Sequence, residues 1–236
     1  MANTPLWKSI AMSLTSEIAN GHYKPGDRLP TEAELSRRFQ VNRHTVRRAL
    51  QDMNESGLVH SRRGAGVFVA STPTDYPLGR RVRFSQNIAQ AGKSSWREIL
   101  LLEKRAPNRA EAEALELAEG DLVHVAETLA MQQDTPIALS RHVFSAERFP
   151  DILQNIEATG SITQALKRSG VADYTRAHTR LTAKSASAAQ ATRLRIREGD
   201  PILRTTGVNI DSKNQPIEYG RTWFVGDRIS LIVSPE

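Results

Sequence analysis

Leu29-Pro-Thr-Glu-Ala-Glu-Leu-Ser-Arg-Arg-Phe-Gln-Val-Asn-Arg-His-Thr-Val-Arg-Arg-Ala-Leu50 is the stretch on which the reading of this chain turns. Thr31 and Glu34 stand at capping-box spacing and start a short helix, with Leu35 and Phe39 on its apolar side. Asn42 suits the cap of a second helix. On that helix, 100° per residue gathers Val46, Ala49, Leu50 and Met53 on one side. Arg43, His44, Arg47, Arg48 and Gln51 fall opposite. A basic helix face alone is most simply a solvated surface. Two capped helices with a tight turn between them change that, because this is helix-turn-helix geometry. Guanidinium groups on the exposed face then suit phosphates and guanine edges.

The flanks fit the same module. Upstream, Thr4 reads as a cap and Pro5 as the first helical residue, followed by Trp7, Ile10, Leu14 and Ile18 at three- and four-residue spacing up to Gly21. Downstream, Leu58 to Val69 reads as two short strands around Arg62-Arg63-Gly64-Ala65-Gly66, a hairpin with a basic tip. On its own such a hairpin is equally an ordinary charged turn. Behind a helix-turn-helix it is the wing of a winged helix.

Composition narrows the function classes. The 236 residues carry a formal net charge of +6 and contain no cysteine. The first excess suits a polyanionic partner; the second excludes a disulfide framework, a thiolate metal site and a cysteine nucleophile. Residues 1–75 hold ten Lys/Arg against seven Asp/Glu, so the small module is the more basic part per residue. No apolar run nears the ~20 residues a membrane helix needs, and no secretory h-region opens the chain. These features read as a cytoplasmic protein that needs no cofactor. The chain has no His-Glu-x-x-His, no P-loop, and six histidines without metal-ligand spacing. An enzyme is therefore the weaker reading. A nonspecific nucleic-acid binder is weaker too, because the basic residues cluster on one helix face and one hairpin tip.

Residues 71–83, with Pro73, Pro77 and Gly79, read as a linker between domain 1–70 and domain 84–236. The second domain repeats itself. Leu115-Glu-Leu-Ala-Glu-Gly-Asp121 matches Leu194-Arg-Ile-Arg-Glu-Gly-Asp200 at an offset of 79. Thr135-Pro-Ile-Ala-Leu-Ser-Arg141 matches Gln215-Pro-Ile-Glu-Tyr-Gly-Arg221 at an offset of 80. Each copy reads as helix, Glu-Gly-Asp turn, strand, polar turn, strand. The helices fall at 109–117 and 186–194, and the strands at about 122–131, 137–144, 202–210 and 217–225. Further strands are expected at 179–183 and 230–233, and further helices near 149 and after Ser161. The whole is an α+β fold, a winged helix-turn-helix followed by an antiparallel sheet with flanking helices. Charged and polar residues of the repeated strands are the candidates for a ligand cleft: Arg141, Arg180, Arg204, Glu218, Tyr219 and Arg221, with Ser161 at a helix start nearby.

Residues 6–69, through Leu-Pro-Thr-Glu-Ala-Glu-Leu, Asn-Arg-His-Thr-Val-Arg-Arg and Arg-Arg-Gly-Ala-Gly-Val-Phe-Val, resemble GntR-type bacterial transcription factors. The resemblance implies that Arg43 and Arg47 touch bases or nearby phosphates. It places Thr31, Asn42, His44, Thr45 and Arg48 beside them and Arg62, Arg63 and Gly64 at the wing. One branch of the family carries an arginine early in its second helix; here that position is Ala33.

The second domain resembles the ligand-sensing UTRA domain of the HutC branch, whose fold is similar to chorismate lyase. The matching stations are Phe84-Ser-Gln-Asn87, both Glu-Gly-Asp turns, Pro-Ile in each hairpin, Phe149-Pro-Asp-Ile152 and Gly160-Ser-Ile162. In many such domains an effector-binding arginine stands where this chain has Thr128. Residues 75–88 and 42–48 further resemble the PhnF-type regulators of phosphonate-utilisation operons. The resemblance implies a homodimeric repressor on double-stranded operator DNA that responds to a small anionic effector, a phosphonate or another phosphorylated metabolite. Histidine-breakdown products, sensed by HutC-type relatives, are the other ligand class it admits.

Overall fold

The computed structural model describes residues 5–62, 64–70, 73–81 and 95–233. Two compact units divide between Thr72 and Pro73.

The first unit holds three helices, α1 (Leu6–Ala19), α2 (Glu32–Phe39) and α3 (Arg43–Glu55), and a hairpin of β1 (Val59–Arg62) and β2 (Gly66–Val69). Pro5 occupies the cap position of α1 rather than its first turn, and Thr4 lies outside the described residues. The capping box of α2 is present, with Thr31 Oγ1 accepting from the Glu34 amide and the Glu34 carboxylate accepting from the Thr31 amide. Gln40 then turns left-handed, φ 54°, and ends α2. Asn42 restarts the chain as α3 by accepting from the Thr45 amide at 2.8 Å. The apolar sides of the three helices meet in one core, where Leu14, Leu35, Val46 and Ala49 are fully buried. Each large aliphatic chain so buried contributes about 1.5–3 kcal/mol.

The second unit is built on a six-stranded antiparallel sheet in the order β4-β5-β6-β9-β8-β7. Its strands are β4 (Ser95–Arg105), β5 (Val123–Gln132), β6 (Thr135–Ser145), β7 (Thr175–Ser185), β8 (Pro201–Ile210) and β9 (Pro216–Val225). Its helices are α4 (Arg109–Leu115), α5 (Ile152–Thr159), α6 (Ile162–Arg168) and α7 (Ala188–Leu194). The repeat holds residue by residue. Asn108 with Glu111 and Ser187 with Gln190 form capping boxes. Glu116 and Arg195 end the two helices in left-handed geometry. The first stops at Leu115, short of the expected 117, and the second ends at the expected Leu194 but starts at Ala188 rather than at 186. Asp121 and Asp200 accept from the Ala118 and Arg197 amides at 2.7 and 3.0 Å, closing the two turns around the positive-φ Gly120 and Gly199. The pairing Val123↔Ser145 in the first hairpin becomes Ile202↔Val225 in the second.

Two elements depart from the sequence expectation. Thr74–Pro77, inside the expected linker, forms β3 and pairs in parallel with β10 (Ile229–Ile232). Tyr76 is buried there against Ile137, Ala138 and Phe224. Its partner lies about 150 residues away in sequence, so no local pattern marks it. The edge strand β4 carries no clear alternation in the sequence, because a bulge between Ile99 and Leu101 interrupts it. Helices cover both faces of the sheet. On one face α5 and α6 pack over Ala126, Phe144 and Ile217. On the other, α4 packs by Val125, Val143 and Tyr219, and α7 by Leu139, Val225 and Trp223.

Candidate nucleic-acid interface and ligand sites

The exposed side of α3 carries Arg43, His44, Arg47 and Arg48. Arg47 is held: its Nε donates to Glu32 Oε1 at 3.0 Å and its Nη2 to Glu32 Oε2 at 2.8 Å. This fork-to-fork pair joins the first turn of α2 to α3. The Arg47 hydrogen bonds keep the Glu32 carboxyl below its ordinary range. Arg48 lies over the Trp7 ring, 4.8 Å from its centroid, so α1 supplies a shelf for it. Arg38 clamps Glu17 with contacts of 2.5 and 2.9 Å and locks α2 to α1. Thr45 Oγ1 donates to the capping Asn42 at 2.9 Å, so Asn42, Thr45 and Thr31 all serve helix starts. The result is a presented row of cations on a helix whose orientation is fixed from behind.

The hairpin stands beside this module in the same unit. Arg62 closes β1 in register with Gly66, and Gly64, φ 70°, turns the tip. Arg63 lies outside the described residues. At Gly66 a Cβ would lie 2.8 Å from Arg28 Nε, so that glycine lets the Arg28 side chain pass under the wing.

In the second unit, strand register sorts the polar residues by face. On the face under α5 and α6, His142 Nδ1 lies 2.6 Å from Glu218 Oε1, and Asn209 Nδ2 donates to Glu218 Oε2 at 2.6 Å. Thr128 Oγ1 reaches the other His142 nitrogen at 3.4 Å, and Ser140 and Thr222 hydroxyls meet at 3.0 Å. His142, Glu218, Asn209, Thr128 and Ser140 are all buried. Burial alone raises the Glu218 pKa, but the His142 hydrogen bond, the His142 and Arg176 charges and the Asn209 amide together bring it below its ordinary value. Gly207 and Gly220 face each other in this row. A Cβ on Gly207 would stand 2.5 Å from Arg176 Nη1, so the two glycines make the trough in which the Arg176 guanidinium rests. Burial lowers the Arg97 pKa, opposed by the charges of Tyr76, Glu218 and Tyr174, so this arginine too belongs to the cluster. Two arginines around a carboxylate-centred network can bind an anion and orient a polar group beside it.

The opposite face carries one row running Leu101, Glu127, Arg141, Arg221, Thr206 and Arg180 across the six strands. Arg141 donates to Glu127 Oε1 through Nε at 2.8 Å and Nη2 at 2.5 Å. Arg221 lies between the Tyr219 and Trp223 rings, 5.9 Å from each centroid. Arg204 stands two residues from Thr206 along β8, on the same face and opposite Trp223.

Comparison with known proteins decides what these two units are. Residues 6–69 match the model of bacterial regulatory proteins of the gntR family, and residues 90–230 match that of the UTRA domain. This chain belongs to the GntR family of bacterial regulatory proteins. It is 36% identical over 226 residues to the probable transcriptional regulator PhnF of Escherichia coli, covering 95% of this chain and 93% of that one. It is 34% identical over 227 residues to the HTH-type transcriptional regulator RB1450 of Rhizobium meliloti, covering 96% and 93%. Its fold is that of PhnF from Mycobacterium smegmatis, with a TM-score of 0.66 at 23% identity, covering 96% of this chain and 99% of that one. The α+β architecture, a GntR helix-turn-helix followed by a UTRA domain of HutC type, is thus established. The regulator acts in transcription and pairs a DNA-binding module with an effector-binding domain, and the relatives bear the names of regulators rather than enzymes. Among the described residues no helix is long and apolar enough to cross a membrane.

In this GntR-family regulator the expected DNA-contacting residues of α2 and α3 gather in one module. The expected ligand residues do not come together. Glu218 faces α5 and α6, and Ser161 caps α6 by accepting from the Gln164 amide. Arg141, Arg180, Arg204, Tyr219 and Arg221 stand on the other face of the sheet. Period-two alternation along β9 already separates Glu218 from Tyr219 and Arg221. The residues that sequence reasoning missed are His142, Asn209, Arg176 and Arg97, the neighbours of Glu218 in the buried network. His142 follows Arg141 directly, and parity alone puts it on the opposite face.

Proposed function

We propose that this GntR-family regulator is a cytoplasmic, homodimeric repressor of genes for phosphonate uptake or degradation. In this reading a small phosphonate or phosphate ester binds the sheet face under α5 and α6 and alters the affinity for operator DNA. The observation that carries it is the buried His142–Glu218–Asn209 network with Arg176 in the Gly207–Gly220 trough. A fold keeps a charged cluster of this kind inside an apolar shell at a cost in desolvation, and such clusters mark binding sites. Arg97 and Arg176 supply the cationic side for an anionic head group. Glu218 faces them and favours ligands that also bear an amine or hydroxyl. The resemblance to PhnF-type sequences over residues 42–48 and 75–88 supports the phosphonate class.

On the DNA, each α3 enters a major groove of a two-fold operator, with half-sites roughly 10 base pairs apart or a multiple of that. Arg43 and Arg47 read base edges or hold adjacent phosphates. Arg48, His44, Thr45, Thr31 and Asn42 flank them, and Arg62, Arg63 and Gly64 approach from the wing. The ligand acts only if it favours one arrangement of the DNA-binding heads, since equal affinity for both shifts nothing. Thermal shift of the full-length chain against phosphonates, sugar phosphates and imidazole carboxylates tests the ligand class. Stabilisation by phosphonates above the other two supports the reading, and stabilisation confined to imidazole carboxylates rejects it.

A further inference from the structure

The two halves of the sensing sheet repeat each other in backbone but not in charge, and the difference exposes a second site. Glu127 and Arg141 of the first copy correspond, at the offsets of 79 and 80, to Thr206 and Arg221 of the second. The register agrees: Glu127↔Arg141 in one hairpin, Thr206↔Arg221 in the other. In the first copy the carboxylate neutralises the arginine. In the second a hydroxyl has taken the carboxylate's place and the arginine remains. The next residue outward in the row is Leu101 in the first copy and Arg180 in the second. The second half thus reads Arg–Thr–Arg on three neighbouring strands about 4.8 Å apart. Arg204 adds a third guanidinium where the first copy has Val125, and Trp223 a flat wall where it has Val143.

Like charges on adjacent strands repel, and the compensation inside the chain is thin. Among the described residues, the buried Nε atoms of Arg221 and Arg204 have no hydrogen-bond partner. Arg221 Nη2 reaches the Tyr219 hydroxyl only at 3.4 Å. The neighbouring rows are covered by α4 at Tyr219 and by α7 at Trp223.

We propose that Arg221, Thr206, Arg180 and Arg204 form a binding site for a small oxoanion, on the sheet face opposite the Glu218 network. Its oxygens take the place that the Glu127 carboxylate fills in the first copy: the Arg221 fork holds one edge, the Thr206 hydroxyl donates from below, and Arg180 closes the exposed side. A single uncovered row between two helices admits a small ion rather than a macromolecule. A second copy packed face to face over this row would bring arginine against arginine. The site stands independently of the ligand reading for the Glu218 network.

The decisive variant restores the symmetry. Thr206→Glu places a carboxylate opposite Arg221 as Glu127 stands opposite Arg141, and Arg221→Gln removes the charge while keeping much of the side chain's length. The measurement is the melting temperature of the full-length protein, with calorimetric titration, against inorganic phosphate at constant ionic strength set with chloride. The wild type is expected to bind phosphate and melt higher with it. Thr206→Glu is expected to melt higher than wild type without phosphate and to bind it at least about tenfold more weakly, as loss of a charge-assisted contact implies. Arg221→Gln is expected to lose phosphate binding as well and serves if Thr206→Glu does not fold. No phosphate binding by the wild type overturns the proposal, and so does equal phosphate binding by wild type and Arg221→Gln. A fall in oligomeric mass on Thr206→Glu, measured by light scattering, would show that a second copy occupies the site and overturns it too.

Discussion

Arg141 and Arg221 stand directly opposite each other on β6 and β9, and they are the same residue of the two repeats. The local two-fold of the sensing domain therefore passes between two arginines at the centre of its sheet. Among the described residues, of these two only Arg141 has a carboxylate, Glu127, to hold it.

The Glu218 network makes the first prediction. Glu218→Gln keeps the size of the side chain but sets an amide against the Asn209 amide, leaving buried groups poorly matched. It is expected to lower stability by about 1–3 kcal/mol near neutral pH. The Glu218 carboxyl is held below its ordinary value in the fold. Its contribution is therefore present above the unfolded pKa of about 4.3 and lost as pH falls through the lower folded one. Melting temperatures of wild type and variant should draw together as pH falls below about 4.3 and through the lower folded value. A gap that stays constant or widens toward acid would falsify the assignment.

Gly220→Ala tests the trough more gently than Gly207→Ala. A Cβ at Gly220 meets Glu218 Oε1 at 3.4 Å, whereas at Gly207 it would run into the His178 carbonyl. Gly220→Ala is expected to fold, bind operator as the wild type does, and lose most of its response to ligand. An unchanged ligand titration would place the effector elsewhere.

Much of this was legible in the sequence. Caps at Thr31 and Asn42, the apolar period of α1 to α3, and the two Glu-Gly-Asp turns each act within a few residues, so local chemistry betrays them. What stayed hidden depends on distant partners. Glu32 is fifteen residues from Arg47 and reads as a helix-start carboxylate until α2 and α3 are packed. Alternation along β9 is enough to put Glu218 on the face opposite Tyr219 and Arg221. What no single strand shows is that His142 and Asn209, 76 and 9 residues away, meet Glu218 on its face.

The placement of β3 predicts a local effect. Tyr76→Ala removes a buried ring packed on Phe224, 5.2 Å between centroids. It should cost about 3 kcal/mol or more. Hydrogen exchange should speed up in β10, whose Ile232 carbonyl accepts from the Leu78 amide, while α3 stays protected. Equal loss of protection in α3 would contradict the division between Thr72 and Pro73.

On the DNA side, Arg47→Ala is expected to weaken operator binding about ten- to hundredfold and to relax base preference if Arg47 reads a base. A uniform loss on all duplexes, with a shallower salt dependence, would assign Arg47 to a phosphate instead.

Ligand-responsive operator binding is tested most directly by one titration. Operator duplex recovered by selection from a random pool, and a scrambled duplex of equal length, are titrated with the full-length protein by fluorescence anisotropy. Several salt concentrations are used, each with and without an aminoalkylphosphonate. A ligand-responsive repressor should prefer the operator by about a thousandfold or more, and the ligand should change operator affinity while leaving the scrambled duplex unaffected. Equal affinity for both duplexes at every salt concentration, or operator binding indifferent to the phosphonate, would contradict it.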